Sequence, residues 1–169
     1  MIFTLIGMPG SGKSCMGRAL ASKLKMPLID SDKLIEKHCG KKLQELIDEL
    51  GVEKFRKIEE EVLLSIDSES DAILATGGSA VYSSLAMEYL KTKGKIIYLC
   101  CSFETIESRL GDFSKRGVVL KPGQSLYGLY EERTPLYAKY ADYTLSCDGT
   151  AYHKYQAEAI KYIKNTINA

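Results

Sequence analysis

The sequence predicts a single α/β domain in which a parallel sheet of five strands lies between layers of helices. Three observations predict it. Short apolar runs alternate along the chain with segments of helical period, the pattern of strand–helix–strand crossovers. The runs at 2–6 and 72–76 are almost wholly apolar, as strands covered on both faces require. The 169 residues suit one domain, 1–169, and contain no internal repeat, linker or low-complexity stretch that would divide them.

The first strand is Ile2-Phe3-Thr4-Leu5-Ile6. Gly7-Met8-Pro9-Gly10-Ser11-Gly12-Lys13-Ser14 follows it, and Cys15 to Leu24 reads as a helix. A buried strand, a glycine loop and a helix opening on Lys-Ser are the parts of a P-loop. Gly7, Gly10 and Gly12, with Ser11 among them, let bare N–H groups come up to phosphate oxygens. The helix N-terminus adds unpaired donors and the positive end of its dipole. In this motif Lys13 reaches the β- and γ-phosphates, and the Ser14 hydroxyl is a ligand for Mg²⁺. A nucleoside triphosphate is the expected ligand.

Met26 to Asp30 is a short second strand, and Ser31 is placed to cap a helix over 32–38 that Gly40 stops. A further helix spans 42–50, ended by Gly51. The next carries Val52, Phe55, Ile58, Val62, Leu63 and Ile66 at three- and four-residue spacing, a buried stripe. Ala72 to Thr76 is the third strand, broken by Gly77-Gly78. A helix over about 84–93, a strand over 95–100 and a helix over 103–110 come next. Residues 111–123 have no regular period beyond Val118-Val119-Leu120 and read as a mobile loop. A helix then runs to about Tyr140, with Pro135 expected to bend it or end it early. Residues 143–145 make the fifth strand, and the last helix begins near Ala151. Ligands of such a sheet sit outside the carboxyl ends of its strands, so Gly7, Asp30 and Gly77 are expected to converge on one crevice.

Composition narrows the function. A formal net charge of +1 gives no field that would recruit nucleic acid or an anionic membrane. No apolar run approaches the ~20 residues that cross a bilayer. The first strand starts at residue 2, which leaves no room for a signal peptide. The five cysteines show neither CxxC spacing nor pairing with the two histidines, and read as small buried thiols. A cytoplasmic protein is expected, and a monomer is favoured because nothing resembles a coiled-coil seam.

Three further stretches carry chemistry. Asp30-Ser31-Asp32 puts two carboxylates beside the phosphate cradle: one can support Mg²⁺ through its water shell, while the other orients an attacking hydroxyl and accepts its proton late. Arg56, in Phe55-Arg56-Lys57-Ile58-Glu59-Glu60, lies off the apolar stripe and can pair with Glu59 or Glu60 one turn later. Thr76-Gly77-Gly78-Ser79 follows a buried strand with consecutive glycines, which suggests close backbone approach to a ligand. Arg133, in Glu132-Arg133-Thr134-Pro135-Leu136-Tyr137, reads by itself as an exposed helical arginine.

Taken in order, these motifs resemble the shikimate kinase family of P-loop small-molecule kinases, over about residues 2–146. The resemblance implies a three-layer α/β/α P-loop kinase fold with acceptor-binding helices over about 31–66 and a mobile lid over about 111–123. It implies ATP and Mg²⁺ as cofactors. Asp30 is similar to the residue that supports Mg²⁺ together with Ser14, and Asp32 to the ligand and base of the acceptor hydroxyl. Arg56 and Arg133 resemble the two guanidiniums that clamp the acceptor's carboxylate, with Glu59 holding Arg56. Gly77 and Gly78 resemble backbone contacts to the acceptor. Arg109 is similar to an arginine stacked near adenine, and Arg116 to the lid arginine that meets the transferring phosphoryl group.

Three features depart from the family pattern, one being a stretch from Arg116 to Arg133 slightly shorter than usual. Ser79 stands where a third glycine is usual, adding a side chain at the acceptor pocket. Arg116-Gly117-Val118-Val119 stands where Arg-Pro-Leu-Leu is usual. The expected activity is transfer of the ATP γ-phosphoryl group to the 3-hydroxyl of shikimate. Another hydroxy acid or polyol acid on the same scaffold is the alternative acceptor. A nucleoside monophosphate fits the paired arginines less well. A nucleotide-binding module without catalysis fits poorly with Lys13, Ser14, Asp30, Asp32 and Arg116 all present.

Overall fold

The computed structural model describes residues 1–111, 118, 120–149 and 151–169. Five parallel strands, β1 (Ile2–Ile6), β2 (Leu28–Asp30), β3 (Ala72–Ala75), β4 (Gly94–Cys100) and β5 (Tyr143–Ser146), form one sheet in the order β2-β3-β1-β4-β5. Every residue of β1 and β3 is buried. That explains why both strands read as continuous apolar runs.

Helix α1 (Lys13–Leu24) packs beneath β1, β2 and β3 and against α8 (Tyr152–Ile167), while α5 (Ser84–Lys93) packs on β1 and β4 and against α4 (Val52–Leu64). Helices α2 (Ser31–Cys39), α3 (Leu43–Leu50) and α4 share a small second core of Ile35, Leu46, Phe55 and Val62. This separate cluster carries Asp32 and Arg56 at the rim of the sheet. Helices α6 (Phe103–Leu110) and α7 (Leu126–Tyr140) complete the layers. Strand β1 leads to β2 on one side and β3 leads to β4 across β1, so the chain changes direction about β1. The crevice at such a reversal is where ligands of open α/β sheets bind.

Two local expectations are corrected, and one element is new. The cap of α2 is Asp30, not Ser31: Asp30 Oδ1 accepts the Lys33 N–H at 3.3 Å. Ser31 is instead buried, and its Oγ accepts the Gly77 N–H at 3.1 Å. Pro135 does not end α7, which continues to Tyr140. An internal proline costs about 3 kcal/mol. Against that cost, Leu129, Arg133, Tyr137 and Tyr140 of the same helix are all buried. Finally, a short 3-10 helix at Ala80–Tyr82, absent from the sequence reading, follows the glycine pair. The expected lid falls largely on Asp112–Gly117 and Val119, outside the described residues, and Arg116 is among them.

Candidate active site

The P-loop forms as its sequence requires. Gly7, Gly10 and Gly12 have φ of 148°, 82° and 95°, and a Cβ on Gly7 would stand 2.8 Å from the Leu99 carbonyl oxygen. Only glycine fits there without strain. Ser11 donates its N–H to Met8 O at 3.0 Å and turns its hydroxyl inward, buried without a partner, so it shapes the loop from behind. Lys13 Nζ folds over the loop, donating to Gly7 O at 2.8 Å and Met8 O at 2.9 Å. Burial lowers its pKa to about 8, and the Asp32 charge opposes that shift.

The cleft above this loop has a volume of about 410 Å³ and brings together Lys13, Ser14, Asp32, Gly77, Gly78 and Arg109. Of the three strand ends expected to converge on one crevice, Gly77 lines this cleft and Gly7 does not. Asp30 does not line this cleft and is engaged as the α2 cap. Its charge is felt there nonetheless. Burial, and then the Asp30 carboxylate, push Asp32 up to about 6. Ser14, Asp32 and Asp30 supply hard oxygen donors, the chemistry that Mg²⁺ takes in company with phosphate oxygens and water.

Beside the P-loop, a slot of about 230 Å³ lies between Gly10, Cys15, Arg109, Tyr152 and Tyr155. Arg109 Nη2 donates to Cys147 O at 2.9 Å, which fixes its guanidinium at the edge of the slot. Tyr152 and Tyr155 were missed by sequence reasoning, because in the helical pattern of α8 they are ordinary inward-facing aromatics.

On the other side of the cleft the glycine pair is held as a rigid strut. Ser31 takes the Gly77 N–H, and Tyr137 Oη donates to Gly78 O at 2.7 Å. A Cβ on Gly77 would stand 2.7 Å from Glu59 Oε1 and 2.8 Å from Asp32 Oδ1. Two carboxylates of the chain itself therefore occupy the space a side chain at position 77 would need, whereas the approach expected at the glycine pair was that of a ligand. Asp32, Glu59, Gly78, Ser79 and Arg133 line a narrow extension of about 30 Å³. Arg133 is not an exposed helical arginine: it is 1% exposed, and Oη of Tyr82 accepts its Nε–H at 3.2 Å.

Arg56 lies in the adjoining cleft of about 280 Å³, which shares Glu59 and Ser79 with that extension. The structure does not pair it with Glu59 or Glu60. Its guanidinium carbon is 3.8 Å from the centre of the Tyr82 ring, and its Nε is buried without a hydrogen-bond partner. Glu60 Oε2 accepts from Ser83 Oγ. Glu59 Oε2 accepts from Ser79 Oγ at 2.6 Å, while Oε1 is buried without a partner. The residue in place of a third glycine thus directs its hydroxyl at Glu59. Burial pushes Glu59 up to about 7; the Ser79 bond opposes this, the Asp32 charge adds to it, and the two guanidiniums oppose it. Tyr82 had no sequence signal, because it acts through a partner far away in the chain, and Ser79 was marked only as standing in place of a glycine, its partner Glu59 being twenty positions away.

The shikimate kinase family model matches residues 9–167. The chain belongs to the shikimate kinase family. It is 40% identical over 146 residues to the shikimate kinase of Vibrio parahaemolyticus, covering 85% of each chain. It is 38% identical over 148 residues to that of Francisella tularensis subsp. novicida, covering 86% of this chain and 84% of that one. The solved structure of the Acinetobacter baumannii shikimate kinase in complex with shikimate superposes with a TM-score of 0.87 at 31% identity, covering 97% of this chain and 93% of that one. The P-loop kinase fold read from the sequence is therefore this family's fold. Among the described residues, no helix is long and apolar enough to cross a membrane.

Proposed function

We infer that the protein is a phosphotransferase that moves the γ-phosphoryl group of ATP to the 3-hydroxyl of shikimate. The observation that carries this reading is the meeting of three charges of different duty around one crevice: Lys13, Asp32 and the buried Arg133. Family membership supplies the acceptor and the donor.

Phosphoryl transfer asks little covalent chemistry of the protein, so positioning and charge stabilisation dominate. ATP lies with its phosphates over Gly10–Lys13 and its base in the slot beside Arg109, Tyr152 and Tyr155. Lys13 exchanges its two loop carbonyls for β- and γ-phosphate oxygens, whose charge holds the lysine protonated. Ser14 and Asp30, the latter through water, would hold Mg²⁺, which neutralises phosphate charge when bound.

The acceptor carboxylate is gripped by Arg133 and Arg56, since planar guanidinium forks match a carboxylate well. Gly77 and Gly78 lend backbone surface with no side chain in the way. Asp32 then orients the acceptor hydroxyl. Raised to about 6, it is a better proton acceptor than an ordinary aspartate and remains ionised at neutral pH. For Arg116, contact with the transferring phosphoryl group is proposed from the sequence resemblance. A reducing cytoplasmic setting suits five free cysteines.

Steady-state kinetics with ATP, Mg²⁺ and shikimate test the reading. Wild type turns over and Asp32→Asn loses turnover while retaining ATP binding. Turnover undiminished in Asp32→Asn would remove Asp32 from the mechanism.

A further inference from the structure

Tyr82 lies in the 3-10 turn that follows the glycine pair, and three contacts converge on it. The Arg56 guanidinium carbon sits 3.8 Å over the ring centre, and that of Arg133 lies 5.1 Å from the same centre. The Tyr82 hydroxyl accepts the Arg133 Nε–H at 3.2 Å and donates its own proton to Glu132 Oε1 at 2.5 Å. One phenol therefore fills both hydrogen-bonding roles of its hydroxyl and offers its π face to a cation.

The two arginines come from different elements, α4 and α7, and this side chain touches both. Arg56 has no ion pair to a carboxylate among the described residues, and its Nε is buried without a hydrogen bond. The ring is thus what sets its guanidinium plane. For Arg133 the bond is made at Nε, and the residue lines the acceptor cleft. Glu132, adjacent in α7, is held in turn by Lys121 Nζ at 3.2 Å and Gln124 Nε2 at 3.0 Å, so the phenol has a fixed anchor.

We propose that Tyr82 is a positioning residue for acceptor recognition, setting the spacing and orientation of the Arg56 and Arg133 guanidiniums by a cation–π contact with one and a hydrogen bond with the other. This rests on the carboxylate clamp assigned above. Tyr82 lines the Arg56 cleft and is not among the described residues that line the phosphate cleft or the base slot. Its effect therefore falls on the acceptor and not on ATP.

Steady-state kinetics of Tyr82→Leu, Tyr82→Phe, Arg56→Ala and Arg133→Ala, each with a melting curve, test it. Tyr82→Leu raises the KM for shikimate about tenfold or more, with kcat and the KM for ATP within about threefold of wild type. Tyr82→Phe keeps the face under Arg56 but loses the hydroxyl, and falls between the two. A shikimate KM within twofold of wild type in Tyr82→Leu, while Arg56→Ala and Arg133→Ala both raise it, would overturn the role of Tyr82 and leave the clamp standing. Unchanged KM in the two arginine variants would overturn the clamp and this inference with it. A parallel rise in the KM for ATP, or no recovery in Tyr82→Phe of a loss seen in Tyr82→Leu, would mark general damage and also overturn it.

Discussion

Replacing Ser79 with alanine removes the donor to a carboxylate that has almost no other relief. Glu59 is 3% exposed, and its second oxygen, Oε1, already lacks a partner. The lost bond is worth different amounts in the two protonation states. To a neutral carboxyl it is an ordinary hydrogen bond, about 1 kcal/mol; to a carboxylate it is about 1.5–3 kcal/mol.

Burial holds Glu59 near 7, well above the 4.5 of an unperturbed glutamate. A group raised in this way contributes its stability in the protonated form, and loses that contribution as pH rises through the folded value. Because the Ser79 bond favours the charged form, Ser79→Ala pushes Glu59 higher still and destabilises the protein more in base than in acid. With about 2–4 °C of Tm per kcal/mol for a chain of this size, the variant melts about 2–4 °C below wild type at pH 5.5 and about 3–12 °C below it at pH 8.5. Thermal unfolding followed by far-ultraviolet circular dichroism at the two pH values measures this. Equal shifts at both, or a larger one in acid, would refute the argument that Ser79 serves an ionisable Glu59.

Other consequences follow from the same geometry. Arg133→Ala leaves an acceptor carboxylate unpaired in a desolvated cleft and costs about 2–5 kcal/mol, read as a rise in shikimate KM of about 30-fold or more with ATP KM unchanged. Because Asp32 titrates near 6 and works as the carboxylate, kcat/KM falls about tenfold per pH unit below 6; a profile flat down to pH 5 would contradict this. Gly77→Ala drives a methyl group against Glu59 Oε1 and Asp32 Oδ1 at 2.7 and 2.8 Å, so turnover drops about tenfold or more, and an active variant would mean that the strut yields easily.

The parts of the site that were legible in the sequence are those whose chemistry is local. Gly7 to Ser14 needs only its own backbone to form a phosphate cradle, and Gly77-Gly78 announces close approach by lacking side chains. Asp32 was legible because it lies two residues past the end of a strand, in the first turn of the helix that follows. What escaped was decided by partners far along the chain. Ser31 looked like a helix cap because it precedes the helix, yet the Gly77 N–H, 46 positions later, claims its oxygen and leaves capping to Asp30. Arg56 had carboxylates one turn away and was expected to use them. Glu59 is instead held by Ser79 and Glu60 by Ser83, so the guanidinium lies on Tyr82. Pro135 carries a helix-ending signal that tertiary burial of its neighbours overrides. The fold was easier than the site, because short, mostly apolar runs separated by helical periods allow few arrangements other than a parallel sheet covered on both faces.

The central claim is that this crevice phosphorylates shikimate with ATP. Mass spectrometry of a reaction containing the protein, ATP, Mg²⁺ and shikimate, beside one without acceptor, tests it most directly. A product heavier than shikimate by one phosphoryl group, absent from the acceptor-free reaction and from Asp32→Asn, is the predicted result. No such product from folded, ATP-binding protein would contradict the claim and turn attention to the cleft around Ser79 and Tyr82.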